Sequence, residues 1–170
     1  MFTQRLKEAI NQQINAEYYS AYLYLSMSAY LESLDLPGMA HWMRMQYEEE
    51  VIHTLKFFDF INDRGARVYL TAIEAPPTDF GSVVEVFEEV LKHEQHVTHL
   101  IHNLYALAIE ENDYPTQSLL KWYIDEQVEE EKTASDVLAK IRMMKDYPPG
   151  LLMIDQELAT RPQPLAPTPA

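Results

Sequence analysis

The sequence predicts an all-α fold: a four-helix bundle with one long crossover connection and a short fifth helix near the C-terminus. Three observations support this prediction. Hydrophobic residues make up 47% of the chain and only four glycines occur, which favours long helices over a turn-rich β fold. Apolar residues recur at alternating spacings of three and four over four long segments. The first and third connections between these segments are short, and the second is long. Some four-helix bundles have this arrangement, with one long crossover between two hairpins.

The first two helices form the first predicted hairpin. One is expected over residues 3–33, with Thr3 as a suitable N-cap. The next is expected over residues 37–64, with Gly65 in the position where helices commonly stop. Because only a few residues separate them, the two helices should pack antiparallel.

The third and fourth helices form the second predicted hairpin. The third is expected over residues 82–112, because Ser82 and Glu85 have the spacing of a capping box. The fourth is expected from about Asp113 to Asp146. The turn between them is again short, so these helices should also be antiparallel.

Residues 66–81 form the long connection between the hairpins. A helix of about 28 residues is roughly 42 Å long at 1.5 Å per residue. About sixteen extended residues span roughly 50 Å. The connection can therefore run the length of the bundle, which makes the second and third helices parallel.

The C-terminal part is predicted to contain a break, a short helix and a tail. Residues 148–150 read Pro-Pro-Gly and should interrupt the chain, whereas residues 151–158 allow a fifth helix. Residues 160–170 contain four prolines and are expected to be irregular or extended. Residues 1–159 are thus predicted as one domain, followed by this tail.

Composition excludes several kinds of site and partner. The absence of cysteine excludes disulfides, thiolate zinc sites and cysteine nucleophiles. A formal charge of −14 disfavours nucleic acid, because few cations are available to neutralise phosphates. No apolar segment is long enough to span a membrane or to form a signal core, so a cytoplasmic protein is expected.

The apolar face of every predicted helix carries a glutamate near its middle. These are Glu17, Glu50, Glu94 and Glu130, and His53 lies one turn from Glu50. Ionised carboxylates in a core are strongly unfavourable and repel one another, but two divalent cations would neutralise four of them. The alternative is a slightly rotated helical wheel that leaves some glutamates at solvated edges.

The second and fourth helices carry related but unequal motifs. Glu50-x-x-His53 can present a carboxylate and an imidazole to one metal, whereas the fourth helix has Gln127-x-x-Glu130. Dimetal bundles often use two Glu-x-x-His motifs. The difference predicts one metal position with an imidazole and another that is richer in oxygen, and such hard ligands suit iron or manganese.

Several motifs together resemble the bacterial non-haem ferritins, with a similarity that covers essentially residues 1–159. They are Glu17 with Tyr24, Tyr47-Glu-Glu-Glu50-x-x-His53, Lys92-His-Glu94-Gln, Asp113-Tyr-Pro115-Thr and Trp122-Tyr-x-x-Glu126-Gln-x-Glu-Glu-Glu131-Lys132. The resemblance implies a ferritin-like bundle and a hollow homo-oligomeric shell of 24 subunits. It also implies ferroxidase activity, in which Fe(II) is oxidised by dioxygen or peroxide and stored as ferric oxyhydroxide.

The same resemblance implies a di-iron centre without haem. Glu17, Glu50 and His53 would hold the first iron, and Glu50 would bridge to a second iron held by Glu94 and Glu130.

It also implies a third iron site and two further functional residues. Glu130 would share the third site with other acidic residues, namely Glu49, Glu126 and Glu129. Gln127 would lie beside the second iron, and Tyr24 matches a tyrosine implicated in oxygen chemistry. For Glu126 and Glu129, a solvated acidic helix edge is the alternative, and Tyr24 could simply pack in the core.

Related families fit the residues less well. A bacterioferritin would need a haem-binding methionine where Val51 stands and a histidine where Glu130 stands. A rubrerythrin would need cysteines, and the small DNA-protecting ferritins place their metal site between subunits. A metal-free structural bundle is the alternative from another class, and it predicts that Glu94→Leu is stabilising.

Four histidines of the third helix could be mistaken for a metal-binding ladder, namely His93, His96, His99 and His102. Their spacing of three moves them progressively away from the Glu94 face. They are therefore predicted to lie at the surface or in subunit contacts.

Overall fold

The computed structural model describes residues 2–164 and confirms the predicted fold class. Within this range the regular secondary structure is entirely helical. The helices are α1 (Gln4–Ser33), α2 (Pro37–Asp63), α3 (Val83–Glu110), α4 (Tyr114–Met144) and α5 (Pro148–Leu158). None of them is long and apolar enough to cross a membrane.

The helix ends follow the predicted signals, with one difference at α5. Thr3 accepts a hydrogen bond from the Leu6 N–H, and Ser82 forms the predicted capping box. Gly65 follows α2 with a φ of +67°, in the left-handed region that favours glycine. The predicted break at residues 148–150 is wrong, because its two prolines occupy the first turn of α5. The N–H groups there need no helical partner, so proline is tolerated.

The long connection runs along α1 over nearly its whole length. Its contacts advance in the same direction along both segments: Asn11 with Tyr69, Asn15 with Thr71, Ser26 with Pro77, and Tyr30 with Gly81. The connection therefore carries the chain from the end of α2 back to the end where α2 begins. This path makes α2 and α3 parallel, as predicted.

The buried core consists of two apolar clusters. One includes Met43 and Phe87, and the other includes Phe57 and Ile101. Along each of the four long helices, the predicted glutamate lies between residues of the two clusters. The bundle thus contains a polar layer near its middle, between two apolar halves.

Helix α5 packs against α2 and α4, and it supplies a side-chain cap for the first turn of α2. Asp155 Oδ1 accepts a hydrogen bond of 2.8 Å from the Met39 N–H, at a helix start whose own N-cap residue supplies no side-chain cap. Any side chain at Gly38 would collide with the Asp155 backbone.

The predicted tail after Ala159 is non-helical over residues 161–164, and its residues 165–170 lie outside the described part. The boundary between domain and tail stays a prediction.

Candidate metal centre

The polar layer contains all five residues predicted as principal metal ligands. Glu17, Glu50, His53, Glu94 and Glu130 are all buried. The rotated-wheel alternative, which would leave these side chains at solvated edges, therefore does not describe them. Their roles as metal ligands stay predictions. Burying four carboxylates together is unfavourable unless their charge is neutralised.

Glu17, Glu50 and His53 form the inner group. One potential ligand atom from each lies within 4.8 Å of the others, and His53 Nδ1 is 3.5 Å from Glu50 Oε2. Glu17 Oε2 and Glu50 Oε2 are buried without a hydrogen-bond partner among the described residues. Buried polar atoms are normally partnered. Two such oxygens beside an imidazole fit the ligand set of a divalent cation.

Glu94 and Glu130 are held by neutral hydrogen-bond donors. The Tyr24 hydroxyl donates to Glu94 Oε1, and Gln127 Nε2 donates to Glu94 Oε2 at 3.2 Å. Gln46 Nε2 donates to Glu130 Oε2 at 2.9 Å. These contacts fix the carboxylates without adding a positive charge, and so leave the charge for a cation to neutralise.

Burial and the charges of neighbouring carboxylates raise the pKa of Glu50, Glu94 and Glu130. Desolvation raises the pKa of Glu50 well above its usual value, and the charges of Glu17, Glu94 and Glu130 raise it further. Desolvation also raises the pKa of Glu94 to about 7 and that of Glu130 to about 8. No ion pair within residues 2–164 joins a lysine or arginine to any of these acids. The layer therefore favours either protons or metal cations.

Three residues around the centre were not predicted to support it. Gln13 Nε2 donates to Glu17 Oε1 at 2.8 Å, and Gln46 supports Glu130 as described. The Tyr123 hydroxyl donates to the His53 carbonyl at 2.7 Å. A sequence signal exists for two of them, because Gln46 and Tyr123 are polar residues within apolar stripes.

An outer group lies beside the inner one and shares His53. Potential ligand atoms of Glu49, His53 and Glu126 lie within 4.8 Å of one another, and both glutamates are half-buried. Burial raises the pKa of Glu126. Glu129 is exposed and belongs to neither group. The structure thus brings together part of the predicted third iron site, and the complete set stays a prediction.

The surface prediction is wrong for His93 and is supported for the other three histidines. His93 is 8% exposed, and its Nε2 lies 2.8 Å from Ser20 Oγ. Burial lowers its pKa to about 4, so the ring is neutral at neutral pH. The reason is that α1 packs over this side of α3, and the small Ser20 leaves room for the ring. His96, His99 and His102 are exposed.

Comparisons with known proteins agree with this architecture. A profile described as a ferritin-like domain matches residues 7–144. Bacterial non-haem ferritin of Staphylococcus saprophyticus is 40% identical over 161 residues, covering 95% of this chain and 96% of the relative. The protein of the same name from Bacteroides fragilis is 42% identical over 161 residues, covering 95% and 100%.

Solved structures show the same similarity in three dimensions. An engineered closed form of Archaeoglobus fulgidus ferritin superposes with a TM-score of 0.95 at 46% identity, covering 96% of this chain and 100% of that one. An open-pore ferritin of the same organism gives a TM-score of 0.94 at 46% identity, covering 95% and 100%. The chain therefore belongs to the ferritin family and is related to the bacterial non-haem ferritins.

Proposed function

We propose that this chain is a ferroxidase and iron-storage subunit. Fe(II) is its substrate and ferric oxyhydroxide is the stored product. The observation that carries the proposal is the buried layer of four glutamates, in which Glu17 and Glu50 each have an oxygen without a hydrogen-bond partner among the described residues. Two Fe(II) ions supply four positive charges, which match four carboxylates. Membership of the ferritin family supports iron as the metal.

The proposed di-iron centre uses the inner group and the two remaining acids. Glu17, Glu50 and His53 bind the first Fe(II), and Glu50 bridges to a second Fe(II) bound by Glu94 and Glu130. Carboxylates suit this exchange of substrate for product, because hard oxygen ligands bind Fe(II) and stabilise Fe(III). Two Fe(II) ions give one electron each to dioxygen, which takes up two protons and leaves as hydrogen peroxide. Peroxide is the alternative oxidant.

Tyr24 and Gln127 are proposed to act through Glu94. Both donate hydrogen bonds to its carboxylate, so they fix the orientation of a ligand to the second iron. Desolvation raises the pKa of Tyr24 well above its usual value, which keeps its hydroxyl protonated as a donor. A further role of Tyr24 in oxygen chemistry stays a prediction.

The outer group is proposed as part of the third iron site, whose acidic ligands are Glu49, Glu126, Glu129 and Glu130. The assembly is proposed to be a 24-subunit shell of identical chains in the cytoplasm. Similarity to bacterial and archaeal ferritins over nearly the whole chain supports the shell.

A metal-free structural bundle is the second candidate function. The observation in its favour is the raised pKa of Glu94 and Glu130, since protonated acids could be tolerated without metal. Under this alternative, Glu94→Leu increases stability and no other property changes. Under the ferroxidase proposal, the same variant loses Fe(II) oxidation.

The test is the initial rate of Fe(II) oxidation by dioxygen in assembled protein. Glu50→Ala and His53→Ala should reduce this rate to near the uncatalysed level, while particle mass stays unchanged. Glu32→Ala and His99→Ala replace exposed residues of the same types and should oxidise Fe(II) at the wild-type rate. Wild-type rates in Glu50→Ala and His53→Ala would show that the site is assigned wrongly.

A further inference from the structure

Arg161, which follows α5, reaches back to the outer group. Its Nη2 lies 2.6 Å from Glu49 Oε2, and the two side chains are only 20% and 23% exposed. This is an ion pair between the start of the proline-rich tail and a half-buried residue of α2, 112 positions earlier in the chain. Such a pair is less screened by solvent than the exposed ion pairs of the surface.

Two further contacts hold Arg161 in this position. Its guanidinium carbon lies 4.6 Å from the centre of the Trp42 ring, a distance typical of cation–π contacts. Its carbonyl oxygen accepts a hydrogen bond of 2.9 Å from His41 Nε2. Both partners belong to α2, so the Arg161 side chain and backbone are fixed by the helix that also carries Glu49.

The ion pair and the outer group compete for one carboxylate. Glu49 contributes a potential ligand atom to the group with His53 and Glu126, while it also accepts a hydrogen bond from Arg161. A guanidinium at this distance offsets the negative charge of the Glu49 carboxylate, and it repels an incoming metal cation. The inner group contains no residue that contacts Arg161 by an ion pair or hydrogen bond within residues 2–164.

We propose that Arg161 is a displaceable counter-ion of the outer metal position, which neutralises Glu49 until a divalent cation takes its place. The proposal rests on the function proposed above, because it needs Glu49 to be a metal ligand. Its consequence is selective: Arg161 weakens metal binding at the outer position and leaves the di-iron centre unaffected. Iron at the outer position is then bound weakly and dissociates readily.

The test is anaerobic Fe(II) titration of the assembled protein by calorimetry. In Arg161→Gln, the outer Fe(II) equivalent should bind roughly three- to tenfold more tightly, as expected for loss of one competing ion pair. The tighter equivalents should not change. Arg161→Lys keeps the charge and should stay close to wild type. Arg142→Gln removes an exposed arginine that pairs with Glu88, and it should have no effect.

A second variant separates the two possible failures. Glu49→Gln should lose the outer equivalent and keep the inner ones. If Glu49→Gln keeps all equivalents, Glu49 is not a ligand, and both the outer site and the role of Arg161 are wrong. If Glu49→Gln loses the outer equivalent but Arg161→Gln binds it no more tightly than wild type, only the counter-ion proposal is overturned.

Discussion

Gln46 of α2 donates a hydrogen bond of 2.9 Å to Glu130 of α4, and both side chains are buried. It links these two helices at the level of the buried glutamates, as does the hydrogen bond from the Tyr123 hydroxyl to the His53 carbonyl. The Gln46 donor lowers the pKa of Glu130 and so opposes the effect of burial. Gln46 therefore keeps Glu130 closer to the ionised state that a metal requires.

Replacing Gln46 should weaken the second iron position. In Gln46→Leu the pKa of Glu130 rises further above about 8, because the hydrogen bond that favours its ionised form is lost. Fe(II) affinity at that position should fall roughly tenfold at pH 7, the usual cost of removing a residue that supports a ligand. Anaerobic titration measures it, with Met43→Leu as a buried control on the same helix. Unchanged affinity would show that Gln46 only packs.

Metal binding should release protons, and the release should depend on pH. The folded protein without metal holds protons on Glu94 and Glu130 up to pH values of about 7 and 8. The unfolded chain loses them near pH 4.5, the ordinary value for glutamate. Raised folded pKa values therefore stabilise the metal-free protein at low pH, and this stability is lost as the pH rises towards 8.

The corresponding measurement is anaerobic proton release on Fe(II) binding. At least about two protons per subunit should be released at pH 6.5, since the pKa of Glu50 is raised as well, and the number should fall as the pH rises through 8. The unfolding temperature of the metal-free protein should fall over the same range. Proton release that is small and independent of pH would contradict the assignment of these two acids as ligands.

Asp113 should be important for stability and not for iron binding. Its carboxylate accepts two hydrogen bonds of 2.8 Å from Arg64 and caps α4 through the Thr116 N–H. The Arg64 guanidinium holds the pKa of Asp113 well below its usual range. This contribution is therefore present at neutral pH and is lost only in strong acid, as the pH falls below the ordinary pKa of 3.8.

Denaturant unfolding at pH 7 checks this role. Asp113→Ala removes both the cap and the ion pair and should cost about 2–4 kcal/mol. Asp113→Asn keeps a capping oxygen and should cost less. Fe(II) stoichiometry should stay the same in both. Equal losses of stability in the two variants would mean that the ion pair, and not the cap, accounts for the effect.

Sequence periodicity predicted that four glutamates lie buried on the inward faces of the helices, because the inward face of a helix follows from the spacing of its apolar residues. Glu17, Glu50, Glu94 and Glu130 each interrupt such a face near its middle, and the short hairpins bring those middles to one level. The common height of the four glutamates in the bundle could therefore be predicted without knowing any contact between side chains.

The supporting contacts could not be predicted in the same way. The Gln46–Glu130 bond depends on the relative height and rotation of two helices that are not consecutive. His93 is buried because the small Ser20 faces it from α1, which a wheel drawn for α3 alone cannot show. The Arg161–Glu49 pair joins residues far apart in the chain, and it depends on where α5 docks.

The most direct measurement is anaerobic Fe(II) titration followed by addition of dioxygen, with particle mass measured on the same sample. We expect two tightly bound Fe(II) ions per subunit, or three with the outer position filled, and rapid oxidation of the bound iron. The particle mass should be about 24 times the 19.8 kDa of one chain. Fe(II) that stays unbound before dioxygen is added, or that is oxidised no faster than in buffer, would contradict the proposed ferroxidase centre.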